Sequence, residues 1–288
     1  MKIGRADIAG SPGFVVGVGA DDPWTPLSAI GVEAATTADV IANASRIAER
    51  VTSRGGESDI ASGVRLSCPV VQPSKILAIG LNYMEHIRET GATRPERPIL
   101  FAKYPSSLTG PTDPVWLDQE LTEQLDYEAE LAVVIGRPSR RLTEGNALDH
   151  VFGYAVANDV SARDWQRKDP QFSRSKSYDT FCPIGPWLTT ADEVPDPQVL
   201  GIRSFVNGES RQNSTTAHMI FTVVDLLVYL SASMTLYPGD VILTGTPPGV
   251  GLGRTPPQFL AVGDQVDCEI DHLGRIENRV IADPQVRL

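Results

Sequence analysis

The stretch Asp126-Tyr127-Glu128-Ala129-Glu130-Leu131-Ala132-Val133-Val134-Ile135-Gly136 sets acidic positions against apolar ones. Its β-branched second half, stopped by Gly136 and Pro138, predicts a strand. Side chains alternate faces along a strand, so Glu128, Glu130, Ala132 and Val134 share one face. Tyr127, Ala129, Leu131, Val133 and Ile135 take the other. Two carboxylates thus stand roughly 6–7 Å apart along the backbone at the mouth of an otherwise apolar strand. On these residues alone a solvated edge strand with two exposed glutamates remains open.

Other elements follow from the same reading. Strands are predicted at Phe14–Val18, Lys75–Gly80, Ile99–Tyr104, Val151–Ala157 and Val241–Leu243. Asn207-Gly208 turns a hairpin after Ile202–Val206, and another hairpin folds around Leu273-Gly274. Asp21-Asp22-Pro23 and Thr109–Pro114 read as turns. Thr37 is the expected cap of a helix with apolar positions from Val40 to Val51, ended by a linker that begins at Ser53. The strongest helix runs from Phe221 to Met234, with a stripe of Val224, Leu227, Val228 and Leu230 to Ser231. Ser173–Trp187 looks too punctuated by Gly and Pro for regular structure. Residues 1–70 read as a small N-terminal module and 71–288 as the main domain.

The 288 residues, 41% of them hydrophobic and 21% charged, suit a soluble protein with a sizeable core. Twenty-five glycines and 22 prolines favour a β-rich chain. A formal charge of −11 argues against nucleic acid or anionic membrane as partner. No signal-peptide pattern opens the chain, and Cys68, Cys182 and Cys268 lack a CxxC pair, so free thiols in a reducing cytoplasm are expected.

Like charges at Glu128 and Glu130 repel unless a cation lies between them, and Asp159, at a strand end, is a candidate third ligand. Its alternative role is to cap the helix-compatible Ser161–Gln166. An all-oxygen set points to Mg²⁺, Mn²⁺ or Ca²⁺ rather than zinc. His86 and Glu89 sit three apart on one helical face, the pairing of an oriented general base, or of an incidental surface ion pair. Arg163 and Gln166 are likewise three apart. The Thr244–Gly251 loop lacks the lysine and following helix of a phosphate loop; its amides and hydroxyl could meet a carboxylate, but a plain turn fits as well.

Five motifs then occur in order: Asn82-Tyr83-x-x-His86-x-x-Glu89, Glu128-x-Glu130, Asn158-Asp159-Val160-Ser161-Ala162-Arg163-Asp164-x-Gln166, Lys176-Ser177-x-Asp179-Thr180-Phe181-x-Pro183-x-Gly185-Pro186, and Pro238-Gly239-Asp240-Val241-Ile242-x-Thr244-Gly245-Thr246-Pro247. Over residues 74–282 the chain resembles the fumarylacetoacetate hydrolase family, while residues 1–70 match loosely. The resemblance implies an α+β, mainly β fold: a mixed β-sandwich roll with a small N-terminal α/β module, assembled as a homodimer.

It also implies Mg²⁺ or Mn²⁺ on Glu128, Glu130 and Asp159. His86 with Glu89 would activate water, on a segment that in relatives closes over substrate, and Lys176 would stabilise enolate charge. Arg163, Gln166 and Thr246 would hold substrate oxygens. The implied activity is hydrolysis of a C–C bond in a 2,4-diketo acid of the acylpyruvate type, a small-molecule 2-oxo acid substrate. Oxaloacetate decarboxylation or 2-hydroxyhepta-2,4-diene-1,7-dioate isomerisation is the alternative within enzymes, and a non-catalytic metal-stabilised binding protein the alternative outside them.

Overall fold

The carboxylate strand forms as Ala129–Ile135, every residue buried, in a computed structural model that describes residues 1–8, 10–17, 24–53 and 64–285. It is not an edge strand: Val151–Asn158 pairs antiparallel on one side and Val241–Leu243 on the other. The alternation is realised on both faces. Tyr127, Ala129, Leu131, Val133 and Ile135 enter one core, and Ala132 and Val134 the other.

This strand lies within an 11-stranded sheet, whose main path runs Thr25–Pro26, Ser11–Gly17, Lys2–Ile8, Cys182–Thr190, Val151–Asn158, Ala129–Ile135, Val241–Leu243, Ile76–Gly80, Ile99–Lys103. A five-stranded sheet is built around the hairpins Gly201–Val206 with Glu209–Thr215 and Gln265–Ile270 with Gly274–Ala282. Ile202, Val266 and Ile276 from this second sheet share an apolar core with Leu131 and Val133 from the first. The result is a mainly β, α+β fold of mixed sheets, as expected. Apolar faces on both sheets can only leave water by facing each other.

Lys2–Ile8 hydrogen-bonds to Cys182–Thr190, and Ile3, Phe14, Val40 and Ile47 pack in one core with Ile76, Ala132 and Ile184. The boundary expected near residue 70 therefore falls inside a shared sheet and core. The expected turn at Asp21-Asp22-Pro23 lies outside the described residues, as does the linker beyond Ser53.

Three local expectations are corrected. The first helix is capped by Thr36, not Thr37: the Thr36 hydroxyl accepts from Asp39 N–H while Asp39 returns a bond to Thr36 N–H. Thr37 instead ties to Pro69 and Val71, and the helix divides at Asn43 into Thr37–Ala42 and Ala44–Ser53. Ser173–Trp187 is only half irregular, since Cys182–Thr190 is a nine-residue strand despite Pro183 and Pro186. The late helix spans Val223–Ser233, and its buried positions are Val223, Leu226, Leu227, Leu230 and Ser231. The core contact is thus rotated from the expected stripe, leaving Val224 and Val228 half-buried. Among the described residues no helix is long and apolar enough to cross a membrane.

Candidate active site

Strand pairing assembles the acidic group. Ala129 opposes Asn158 and Glu130 opposes Ala157, so the chain leaving Asn158 places Asp159 beside Glu128, with Asp159 N–H donating to the Glu128 carbonyl at 2.9 Å. One carboxylate oxygen from each of Glu128, Glu130 and Asp159 lies within 4.8 Å of the others. All three are buried, at 5%, 1% and 0% exposure, which removes the solvated-edge reading. Nor does Asp159 cap a helix. Arg163–Lys168 starts after Ala162 with no side-chain cap.

Burial of charge is tolerated only with partners. Lys176 Nζ donates to Glu128 Oε2 at 2.6 Å and Asp159 Oδ2 at 2.7 Å. Arg163 Nε donates to Asp126 Oδ2 at 2.8 Å, and its Nη2 lies 2.5 Å from Glu128 Oε1, close but poorly angled for a hydrogen bond. Burial by itself would raise the Glu128 pKa, but Arg163 and then Lys176 outweigh it and hold the carboxyl below the usual range. Lys176 stays cationic: burial opposes its charge, and Asp159 and Glu128 more than restore it.

Glu130 differs. Its hydrogen-bond donor among the described residues is the Gly245 N–H at 2.8 Å. Burial first, then Asp159 and Glu128, push its pKa well above the glutamate range. With Glu130 ionised, four buried carboxylates (Asp126, Glu128, Glu130, Asp159) face three buried cations (Lys103, Arg163, Lys176), leaving one negative charge in excess. A divalent ion on Glu128, Glu130 and Asp159 meets that deficit where it is greatest, and hard oxygen donors suit Mg²⁺, Mn²⁺ or Ca²⁺.

The helix Met84–Thr90 supplies the second half of the site. His86 Nδ1 pairs with Glu89 Oε1 at 2.8 Å, and Glu89 Oε2 accepts the Gly249 N–H at 2.8 Å. The glycine loop is therefore an anion cradle for the protein's own side chains. Gly245 serves Glu130, Gly249 serves Glu89, and Gly251 and Leu252 donate to Asp126 at 2.7 and 3.0 Å. Gly249 holds a φ of +108° and has no room for a side chain, since a Cβ would fall 2.1 Å from the Arg211 carbonyl oxygen.

His86, Glu128, Glu130, Lys176, Arg163, Gln166 and Thr246 line one cavity of about 230 Å³, walled also by Ile79, Phe101 and Leu252. The fold thus gathers these residues, with Asp159 and Glu89 bonded directly to their side chains. The expected substrate contacts are nonetheless largely committed elsewhere. Arg163 is bound to Asp126 and Glu128, and the Thr246 hydroxyl donates to the Ala129 carbonyl and accepts from Gln212. Gln166 Oε1 accepts from Arg163 Nη1 at 2.9 Å, and because a guanidinium only donates, the Gln166 amide nitrogen is left to donate elsewhere.

Sequence reasoning gave no role to four buried residues here, Asn82 among them although it opens the first motif. Lys103 donates to Asp159 Oδ1 at 2.6 Å, Asp126 anchors Arg163, Gln212 holds Thr246, and Asn82 Nδ2 bonds the Thr244 carbonyl at 2.7 Å. The signal available was slight: a lysine ending the apolar strand Ile99–Lys103, and an aspartate two residues before Glu128.

Comparison with known proteins places this geometry in context. Residues 75–281 match the family model described as fumarylacetoacetate (FAA) hydrolase C-terminal. The chain is 50% identical over 222 residues to a mitochondrial oxaloacetate tautomerase of Xenopus laevis, covering 76% of this chain and 69% of that protein. Among solved structures, a fumarylacetoacetate hydrolase from Exiguobacterium antarcticum is 40% identical with a TM-score of 0.85, covering 98% of this chain and 100% of that one. A maleylpyruvate hydrolase from Sphingobium, solved with manganese(II) and pyruvate, is 32% identical with a TM-score of 0.81, covering 98% and 99%.

Proposed function

The chain belongs to the fumarylacetoacetate hydrolase family and is an enzyme of it, and from that premise we propose that it interconverts the enol and keto forms of oxaloacetate with Mg²⁺ or Mn²⁺. The carrying observation is that His86, held by Glu89, lines the same small cavity as Glu128 and Glu130 of the acidic group. This reading sets aside the acylpyruvate hydrolysis expected from sequence and lies nearer the two alternatives, oxaloacetate decarboxylation and dienedioate isomerisation, although neither of them is the ketonisation proposed. Support comes from the frog relative's name and from cavity size: about 230 Å³ is below the ~300–1,000 Å³ usual for drug-sized ligands and suits a four-carbon acid.

The two tautomers differ by one proton, on O2 in the enol and on C3 in the keto acid. One acid–base group within reach of both atoms is enough, taking the proton from O2 and giving it to C3, and no water needs activating. Glu89 occupies His86 Nδ1, so Nε2 is the nitrogen left to exchange a proton with substrate. The Glu89 carboxylate fixes the orientation of the ring. Lys176, held cationic, stabilises negative charge developing on the 2-oxo oxygen without itself acting as a base. The Gln166 amide can donate to a substrate carboxylate. Glu128, Glu130 and Asp159 would hold the metal, which when bound supplies Lewis-acid polarisation of the 2-oxo group.

The test mixes metal-loaded enzyme with enol-oxaloacetate and follows loss of enol absorbance, beside pyruvate release from oxaloacetate and from acylpyruvates. Ketonisation should carry the largest kcat/KM. A larger kcat/KM for acylpyruvate cleavage would restore the hydrolase reading.

A further inference from the structure

We propose that Lys103 is a positioning residue that fixes Lys176 in the cavity and thereby sets turnover; this rests on the reading above, in which Lys176 stabilises enolate charge. Lys103 ends the strand Ile99–Lys103, whose alternation turns Phe101 and Lys103 inward, and its side chain is 1% exposed. A lysine so buried needs partners for its charge. Its Nζ donates to Asp159 Oδ1 at 2.6 Å and to the main-chain carbonyl of Lys176, with the Val160 carbonyl 3.4 Å away. An ammonium has three protons, so none is left for substrate, and Lys103 does not line the cavity.

These bonds hold Lys176 at both ends. Lys103 grips its carbonyl directly, and grips Asp159, whose other oxygen takes the Lys176 ammonium at 2.7 Å. The rest of that segment is turn and irregular backbone between the helix Arg163–Lys168 and the strand Cys182–Thr190. No regular ladder fixes Lys176: its N–H bonds the Phe172 carbonyl at 3.2 Å within the turn, and the Lys103 bonds tie that turn to the strand Ile99–Lys103. The Phe101 ring completes the seat, its centroid 5.3 Å from Lys176 Nζ. Placement within a fraction of an ångström matters for a group that acts on developing charge, and a misplacement of ~1 Å can cost ~10²-fold in rate.

The test is a double-substitution cycle in full-length, Mn²⁺-loaded enzyme, using Lys103→Met, Lys176→Met and both. Lys103→Met should lower kcat about 10²-fold with KM little changed, and should add almost nothing in the Lys176→Met background, because it acts through that side chain. Mn²⁺ affinity, read by calorimetry without substrate, should change less than about tenfold, since Glu128 and Glu130 remain. Losses that multiply in the double variant, or a kcat that stays at the wild-type value, would overturn the proposal. Should Lys103→Met not fold, Lys103→Arg keeps the charge but not the three-way geometry, and the same cycle is run with it. Wild-type enzyme that fails to ketonise oxaloacetate would refute the proposed reaction alone, and the cycle is then read on whichever 2-oxo acid reaction it does catalyse.

Discussion

Removing the Lys176 ammonium tests the charge balance of the site in a single substitution. Lys176→Met takes away one cation bonded to two buried carboxylates, Glu128 and Asp159. Breaking a buried ion pair costs ~3–5 kcal/mol because the partner is left uncompensated. The low end applies here, since Glu128 keeps Arg163 and Asp159 keeps Lys103. About 3 kcal/mol corresponds to a fall of roughly 6–12 °C in melting temperature for a chain of this size. Metal should then rescue the variant more than it helps the wild type. With Glu130 ionised to ligate the metal, the wild-type group carries one excess negative charge and the variant two, so the dication is held more tightly in the variant. At a hundredfold excess over Kd, Mn²⁺ stabilises a one-site protein by ~2.7 kcal/mol. Differential scanning calorimetry with chelator and across a Mn²⁺ series reads both effects, while kcat at saturating Mn²⁺ should stay ~10²-fold low. The Lys176 contribution is intact through neutral pH, because its pKa is raised in the fold, and fades only as pH climbs past the lysine range. A metal-free melting temperature within about 2 °C of wild type, or an equal Mn²⁺ shift in both proteins, would show that Lys176 does not balance these carboxylates.

His86→Ala should lower ketonisation by ~10²–10⁴-fold with Mn²⁺ affinity unchanged, measured by stopped-flow and calorimetry; a near-normal rate removes the imidazole from the reaction. Because the Glu130 pKa is raised in the metal-free fold, folding retains a proton there, so metal-free stability should fall as pH rises above the ordinary glutamate range. The same proton should leave when metal binds, so Mn²⁺ affinity should rise with pH and calorimetry in buffers of different ionisation enthalpy should detect proton release; Glu130→Gln should abolish it. Gly253→Ala would set a Cβ 2.6 Å from the Glu89 carboxyl carbon, so turnover should fall about as far as in Glu89→Gln while circular dichroism stays wild type. An active Gly253→Ala enzyme would mean that the Glu89 position is not tuned by this loop.

The sequence by itself determined what depends on neighbouring residues. Period-two alternation placed Glu128 and Glu130 on one face, Asn207-Gly208 turned its hairpin with positive φ at both residues, and three-residue spacing paired His86 with Glu89. Ordered motifs carried the family and with it the convergence of Asp159 and Lys176 on that face. Tertiary structure decided what depends on partners far along the chain. Whether Glu128 and Glu130 were exposed turned on Lys176 and the Gly245 N–H, which reach them from 48 and 115 residues along the chain. Thr36 won the cap because Pro69 and Val71 occupied Thr37, and the buried stripe of Val223–Ser233 rotated to meet a core that its own period cannot specify. Arg163 and Thr246 line the cavity, but that Asp126 and Gln212 engage them is decided by partners 37 and 34 residues away. Lys103 carried almost no local signal, because a lysine becomes functional through what surrounds its ammonium, and Asp159 and the Lys176 carbonyl lie 56 and 73 residues away in sequence.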